Sequence, residues 1–184
     1  FEKELIELTN QIPFDDRVNM QASLKDISKT LVRDFLVKTK SRLADSIEES
    51  KFSDILQQMD LVAGPPEAMM PKNIALMMFS DNPSKFFPYT QVDIVVYPKG
   101  KLQDPSNFIE VPPIKGPVDW MINEAMTYLR TNIIKEQVIK PKDKAESIRF
   151  FNYPYQALEE AVVNSLYHRD YQSYEPVEIT IEPD

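Results

Sequence analysis

Only three glycines, Gly64, Gly100 and Gly116, stand against 15 prolines in this chain of 184 residues, where average usage would supply about 7% glycine. A loop that cradles phosphate needs glycine wherever backbone amides approach the anion closely, as in GxGxxG or in GxxxxGK followed by Ser or Thr. Neither spacing occurs. A complete glycine-loop nucleotide site is therefore excluded, and a nucleotide could be handled here only through other parts of a site.

The prolines punctuate the chain. A helix is predicted over Glu2–Asn10, ahead of a turn at Pro13-Phe14-Asp15-Asp16-Arg17 that reads as a connector. Ser23-Leu24-Lys25-Asp26 approximates a capping box, and Leu24, Ile27, Leu31 and Phe35 recur at helical spacing up to about Lys40. A second helix presents Phe52, Ile55, Leu56 and Met59, and is predicted to end near Gly64-Pro65-Pro66. That point is the expected domain boundary, with residues 1–64 as a small helical region and 65–184 as a helix-on-sheet domain. Pro71 suits a first helical turn, and Ile74, Ala75, Met77, Met78 and Phe79 describe a buried helix after it.

Gln91–Tyr97 alternates, with Val92, Ile94 and Val96 on one face and Asp93 on the other, which predicts a strand. Four prolines between Pro98 and Gly116 predict a long loop or a ragged hairpin at a sheet edge. From Gly116-Pro117 the stripe Val118, Ile122, Ala125, Met126, Leu129 and Ile133 predicts a long helix lying across a sheet. The basic segment Lys135–Lys144 reads as a solvated connector before a strand at Ser147–Phe151. A helix from Tyr153-Pro154 to about His168 and an alternating strand at Val177, Ile179 and Ile181 complete the order. The fold class expected is α/β, in its α+β form, with a mixed or antiparallel sheet.

Composition narrows the function classes. With 42% hydrophobic and 10% aromatic residues the chain can build a core, and 21 basic against 29 acidic residues give a net charge of −8. Such a field repels nucleic acid on average, so DNA binding by this piece alone, including a helix-turn-helix reading of Ser23–Leu61, is disfavoured. No apolar run approaches the roughly 20 residues of a membrane span, and FEKELIELTN lacks the apolar core of a signal peptide. The expected setting is the cytoplasm, with no membrane partner. Zero cysteines exclude thiol chemistry and cysteine-ligated zinc, and one histidine, His168, argues against a histidine-rich metal site. The methionines read as core filler and Trp120 as an anchor in a core or an interface.

In the last predicted helix, Leu158, Ala161, Val162, Ser165 and Leu166 share a face expected to pack inward. Glu160 and Asn164 project together from the other side, and His168 continues their row. An amide oxygen is a hard ligand suited to Mg²⁺, and a neighbouring carboxylate can take a proton from an attacking water. Glu160 is thus the candidate catalytic group, Asn164 the candidate metal ligand, and Asn164 with His168 the candidate cofactor-binding residues. By spacing alone the same pair describes the polar outer face of a surface helix. A kinase reading of His168-Arg169-Asp170 fails, because Glu175 stands where a metal-binding Asn would follow and no DFG exists.

EEAVVNSLYHRDY, preceded by FNYPYQAL and followed by EPVEITIEPD, resembles the start of the ATP-binding domain in a family of bacterial transcriptional regulators often labelled RecG-related ATP-dependent DNA helicases. The resemblance extends upstream through NQIPFDDRVN, ASLKDISKTLVRDFL and PKNIALMMFSDNPSKFFP and so covers nearly the whole chain. It implies a parent with an AlbA-like or Schlafen-like DNA-binding domain, a middle region like this one, and a histidine-kinase-like (GHKL) ATPase domain. By this resemblance Glu160-Ala-Val-Val-Asn164 matches the E-x-x-x-N of the GHKL N-box, in which the Glu activates water and the Asn binds Mg²⁺. It assigns no role to His168-Arg169-Asp170-Tyr171, where pairing or capping by Arg169 and Asp170 at the helix end is expected. The adenine box and glycine-rich lid of that domain have no counterpart before Asp184. The expectation is therefore a piece of a longer regulator, not an enzyme by itself, that binds ATP weakly or not at all. In the parent, ATP and Mg²⁺ would be cofactors, DNA a partner through a domain absent from this chain, and weak ATPase activity and homo-oligomerisation both remain open. The alternative is a non-enzymatic dimerisation or domain-docking module on a degenerate ATPase-like scaffold.

Overall fold

The computed structural model describes residues 12–48, 50–139 and 148–183, so the helix expected over Glu2–Asn10 and the 140–147 part of the basic segment lie outside the described residues. The chain is a mixed α+β fold that divides into two compact units, Phe1–Phe86 and Phe87–Asp184. The division corrects the expected boundary at Gly64-Pro65-Pro66. Those residues lie between β1 (Val62–Ala63) and β2 (Met70–Pro71), which pair antiparallel, and a turn that joins two paired strands holds one unit together. Gly64, at φ 108°, is needed there because a Cβ would stand 2.6 Å from the Ala68 carbonyl oxygen.

In the first unit the capping box at Ser23 exists, with the Asp26 carboxylate accepting from the Ser23 N–H and hydroxyl, but it caps one 3₁₀ turn, Leu24–Asp26. Lys85 donates to the same carboxylate at 2.7 Å, and this bond comes first in holding the Asp26 pKa below its ordinary value. Ile27 is extended, so α1 starts afresh at Lys29–Lys38. That restart breaks the predicted row: α1 buries Val32 and Leu36, while Phe35 is exposed and meets Phe79 edge-on at 5.4 Å. After the short α2 (Leu43–Ser46), α3 (Phe52–Gln58) buries Ile55 and Leu56 as expected.

Scarce glycine shows at the helix ends. α3 stops at Gln58, six residues before Gly64, and Asp60 takes the left-handed position at φ 58°. Leu61 N–H donates to the Leu56 carbonyl and Asp60 N–H to that of Gln57, a Schellman pattern built without glycine. α1 ends likewise, with Lys40 at φ 53° and Ser41 N–H on the Leu36 carbonyl. A non-glycine residue pays roughly 1–2 kcal/mol for that conformation.

Pro71 sits in β2, and α4 begins only at Asn73 (Asn73–Phe79). Of its predicted apolar residues Ala75, Met77 and Phe79 are buried, together with Leu76, while Ile74 and Met78 are half-buried. The segment read as a connector caps this helix: the first-turn amides of Asn73 and Ile74 donate to the carbonyls of Arg17 and Asp15. Lys72 locks the cap. Its ammonium, 9% exposed, donates to Asp16 and Asp60 at 2.7 Å each, and these two bonds, Asp16 first, hold its pKa above the usual lysine value.

The second unit is built on β3 (Gln91–Val96), whose Val92 and Ile94 are buried at 0% and 1% exposure as the alternation predicted. β4 (Ile109–Glu110) and β5 (Ile114–Lys115) both pair antiparallel with it, at Val95/Val96 and at Gln91/Val92. The register slips by one residue between the two pairings, which places a bulge at Val111-Pro112-Pro113, where two prolines offer no N–H to the ladder. The ragged edge hairpin foreseen here is thus one bulged strand. β8 (Val177–Ile181) runs parallel to β3 along its other edge, from Val92 opposite Val177 to Val96 opposite Ile181, so the sheet is mixed.

α5 (Val118–Asn132) packs on β3 and buries Val118, Met121, Ala125, Met126 and Leu129. Ile122 is half-buried, and Ile133 follows the helix. The connector expected at Lys135–Lys144 is corrected for its first part: β6 (Glu136–Ile139) pairs antiparallel with β7 (Ile148–Phe151). Asn152 ties the hairpin base, accepting from Lys135 N–H at 2.7 Å and donating to the Ile133 carbonyl.

The helix ends generate a paired prediction. Lys40→Gly should stabilise the chain by about 1 kcal/mol in urea unfolding, because it removes the left-handed penalty at an exposed position. Asp60→Gly should gain less or lose stability, since it also strips one carboxylate from Lys72.

Candidate functional site

α6 (Tyr155–Tyr167) starts after Pro154, whose missing N–H costs nothing at a helix start, and closes at His168, whose N–H donates to the Asn164 carbonyl at 2.9 Å. Val162 and Leu166, at 5% and 1% exposure, set its inner face, and α6 packs against α5. This phase carries Glu160 and Asn164 outward. Both are exposed, one turn apart on the same row, and His168 is exposed at the end of that row. Among the described residues neither the Glu160 nor the Asn164 side chain is engaged by a hydrogen bond or an ion pair, so both are available to a ligand. Also among the described residues, no group of three or more His, Cys, Asp or Glu is assembled to hold a metal ion.

The inward face is narrower than predicted. Leu158 is half-buried, while Ala161 and Ser165 are exposed and line a recess of about 250 Å³ with Leu129, Tyr153, Ile179 and Ile181. Ser165 turns its hydroxyl back to the Ala161 carbonyl at 2.7 Å, which satisfies its donor within the helix. Two small side chains one turn apart leave that flank of α6 uncovered, and the recess is the result. Glu160 and Asn164 stand beside it and do not line it. Its charged lining is Glu178 and Glu182, so an apolar or cationic group fits the recess by itself, whereas a polyphosphate would need a cation between.

Beyond α6 the chain turns through Arg169, which sequence reasoning left as a helix-end residue. Its guanidinium donates to the carbonyls of Ser173, Glu175 and Pro88, and burial holds its pKa below the ordinary value. It lies over the Tyr171 ring, 5.0 Å from the centroid. Asp170 accepts from Gln172 N–H instead of pairing with Arg169. Tyr171, 4% exposed, donates its hydroxyl to the Leu166 carbonyl at 2.7 Å, and burial pushes its pKa up to about 12. These residues fix the entry into β8 and touch no candidate ligand group. The signal available in the sequence was the position of Arg169 in a segment holding Pro176 but no glycine, where one long cation can tie several carbonyls.

No known family model matches the sequence, and no curated protein matches it. Among solved structures, the crystal structure of the DIP2311 protein from Corynebacterium diphtheriae is similar to this chain over 97% of its residues, with a TM-score of 0.56 and 16% identity. The chain spans 33% of the length of that protein. At this identity the likeness shows a common fold.

Two substitutions test the segment after α6. Arg169→Ala should cost about 2 kcal/mol in chemical unfolding, because it leaves carbonyls without their charged donor. Tyr171→Phe should cost about 1 kcal/mol near neutral pH. Wild-type Tyr171 has a raised folded pKa, so its contribution is complete below the unfolded value of about 10 and is lost as pH climbs through about 12. Unfolding curves across that alkaline window should therefore fall more steeply for wild type than for Tyr171→Phe.

Proposed function

We propose that this chain is part of a longer, cytoplasmic bacterial regulator in which ATP with Mg²⁺ engages α6 and nucleotide occupancy controls DNA binding through a domain outside the chain. The observation that carries the reading is the pairing of an unengaged carboxylate, Glu160, with an unengaged amide, Asn164, on the exposed row of a helix backed by α5. Asn164 would supply one oxygen to Mg²⁺, with phosphate oxygens and water completing the shell as is usual for this ion. Glu160 would accept the proton of the attacking water, and His168 would sit at the cofactor side of the row. The resemblance of Glu160-Ala-Val-Val-Asn164 to an N-box supports the roles of Glu160 and Asn164, and it assigns none to His168. No helix among the described residues is long and apolar enough to cross a membrane, which agrees with a regulator that works away from the bilayer.

A second reading has its own support. The apolar recess beside the pair, with two glutamates in its lining, suits a docking surface better than a phosphate site. Under it the unit docks domains or dimerises, and the ATPase-like helix is a scaffold.

The longer protein separates the two readings. On the first, Glu160→Ala should reduce ATP hydrolysis by at least about a hundredfold, the usual scale for losing a general base, while Asn164→Ala should weaken Mg²⁺-dependent nucleotide binding in calorimetry. Unchanged nucleotide behaviour in both variants, with altered assembly in light scattering, would establish the second.

A further inference from the structure

A groove of about 460 Å³ runs along the outer face of α5, with Pro112, Pro113 and Ile114 of the bulged strand on one wall and Trp120, Glu124 and Tyr128 on the other. Trp120, the sole tryptophan of the chain, is 46% exposed in it. Its ring lies against the backbone of Gly116. Gly116, at φ 145°, lies so near that a Cβ there would stand 3.0 Å from Trp120 Cε3. An exposed indole that rests one face against a glycine loses less freedom on meeting a ligand, which lowers the ordering cost of binding.

The spacing of the wall sets a ligand length. Trp120, Glu124 and Tyr128 succeed one another every four residues, so the row is about 12 Å long at 1.5 Å per residue, the length of about four residues of polyproline II at 3.1 Å each. Grooves lined by aromatic rings accept that conformation, since it arrives already ordered and stacks proline rings on flat surfaces. Charge selects the rest. Glu124 is the one charged side chain among the described residues lining the groove, and the chain carries a net charge of −8, so a cationic ligand is favoured. We propose that this groove binds a proline-rich segment in polyproline II conformation that carries an Arg or Lys opposite Glu124. It is a peptide-recognition site separate from α6 and stands whether or not the nucleotide reading holds.

The single tryptophan makes the test direct. A short peptide of prolines and arginines, free of aromatic residues, is titrated into the full chain while Trp120 emission is followed. A saturable blue shift is expected. Glu124→Gln should weaken binding of the peptide about threefold to tenfold and reduce its salt dependence. For Trp120→Phe and Tyr128→Ala, read by anisotropy of a labelled peptide with circular dichroism to verify folding, the expected loss is tenfold or more. Gly116→Ala, which crowds the indole and strains a backbone position at φ 145°, should weaken binding, with circular dichroism verifying that the fold is kept. Three results would each overturn the proposal: no shift at millimolar peptide, equal binding of an arginine peptide in which alanines replace the prolines, or a shift that follows protein concentration alone, which would mark a second copy as the occupant.

Discussion

β3 is the constraint on which the second unit depends, because it is hydrogen-bonded along both edges and buried on one face. Its two fully buried side chains, Val92 and Ile94, each contribute about 2 kcal/mol by leaving water, and the face they form receives α5. The parallel pairing with β8 does the positioning. A parallel partner needs a long crossover, and here that crossover contains α5, the hairpin β6–β7 and α6. The register of five consecutive pairs therefore anchors the chain beyond α6, the helix whose row carries Glu160 and Asn164.

In the first unit the corresponding constraint is polar. An ammonium sheltered from water cannot be left alone, and Lys72 meets it with two carboxylates from segments 56 and 12 residues away. Both carboxylates remain substantially exposed, so the pairing costs less desolvation than a fully buried triad would. Asp60 serves twice: it turns the end of α3 and supplies one of these carboxylates.

What the sequence disclosed follows from how each signal is generated. Strand alternation in Gln91–Val96 and in Val177–Ile181, and the inner face of α3, depend on local period alone, and these elements agree with the structure. The row Leu24, Ile27, Leu31, Phe35 failed because two extended residues, Ile27 and Ser28, reset the helical phase, and no periodicity count registers that. The end of α3 falls short of Gly64 because Asp60 supplies the left-handed position there, as Lys40 does for α1, and composition does not mark such residues. The strand at Ser147–Phe151 was legible and stands as β7, whereas its partner β6 was hidden by charge, since lysines in the same segment outweighed the short β-forming run at Val138. At the candidate site the exposed row was legible from 100° steps, whereas the recess was not. It arises from what Ala161 and Ser165 fail to cover, and absence of bulk has no period. The likeness to a longer structure shows the fold and is silent on the chemistry of α6.

The Pro112-Pro113 bulge has a further effect on the sheet as a whole. A strand can be extended sideways only by a neighbour that finds a continuous file of amides, and this one presents two consecutive positions with none. Lateral growth is discouraged at that point of the flank by covalent structure, independent of any side chain covering it. The two borders of the sheet therefore differ: the one that carries Pro112 and Pro113 is interrupted at the bulge, whereas β8, Val177–Ile181, contains no proline.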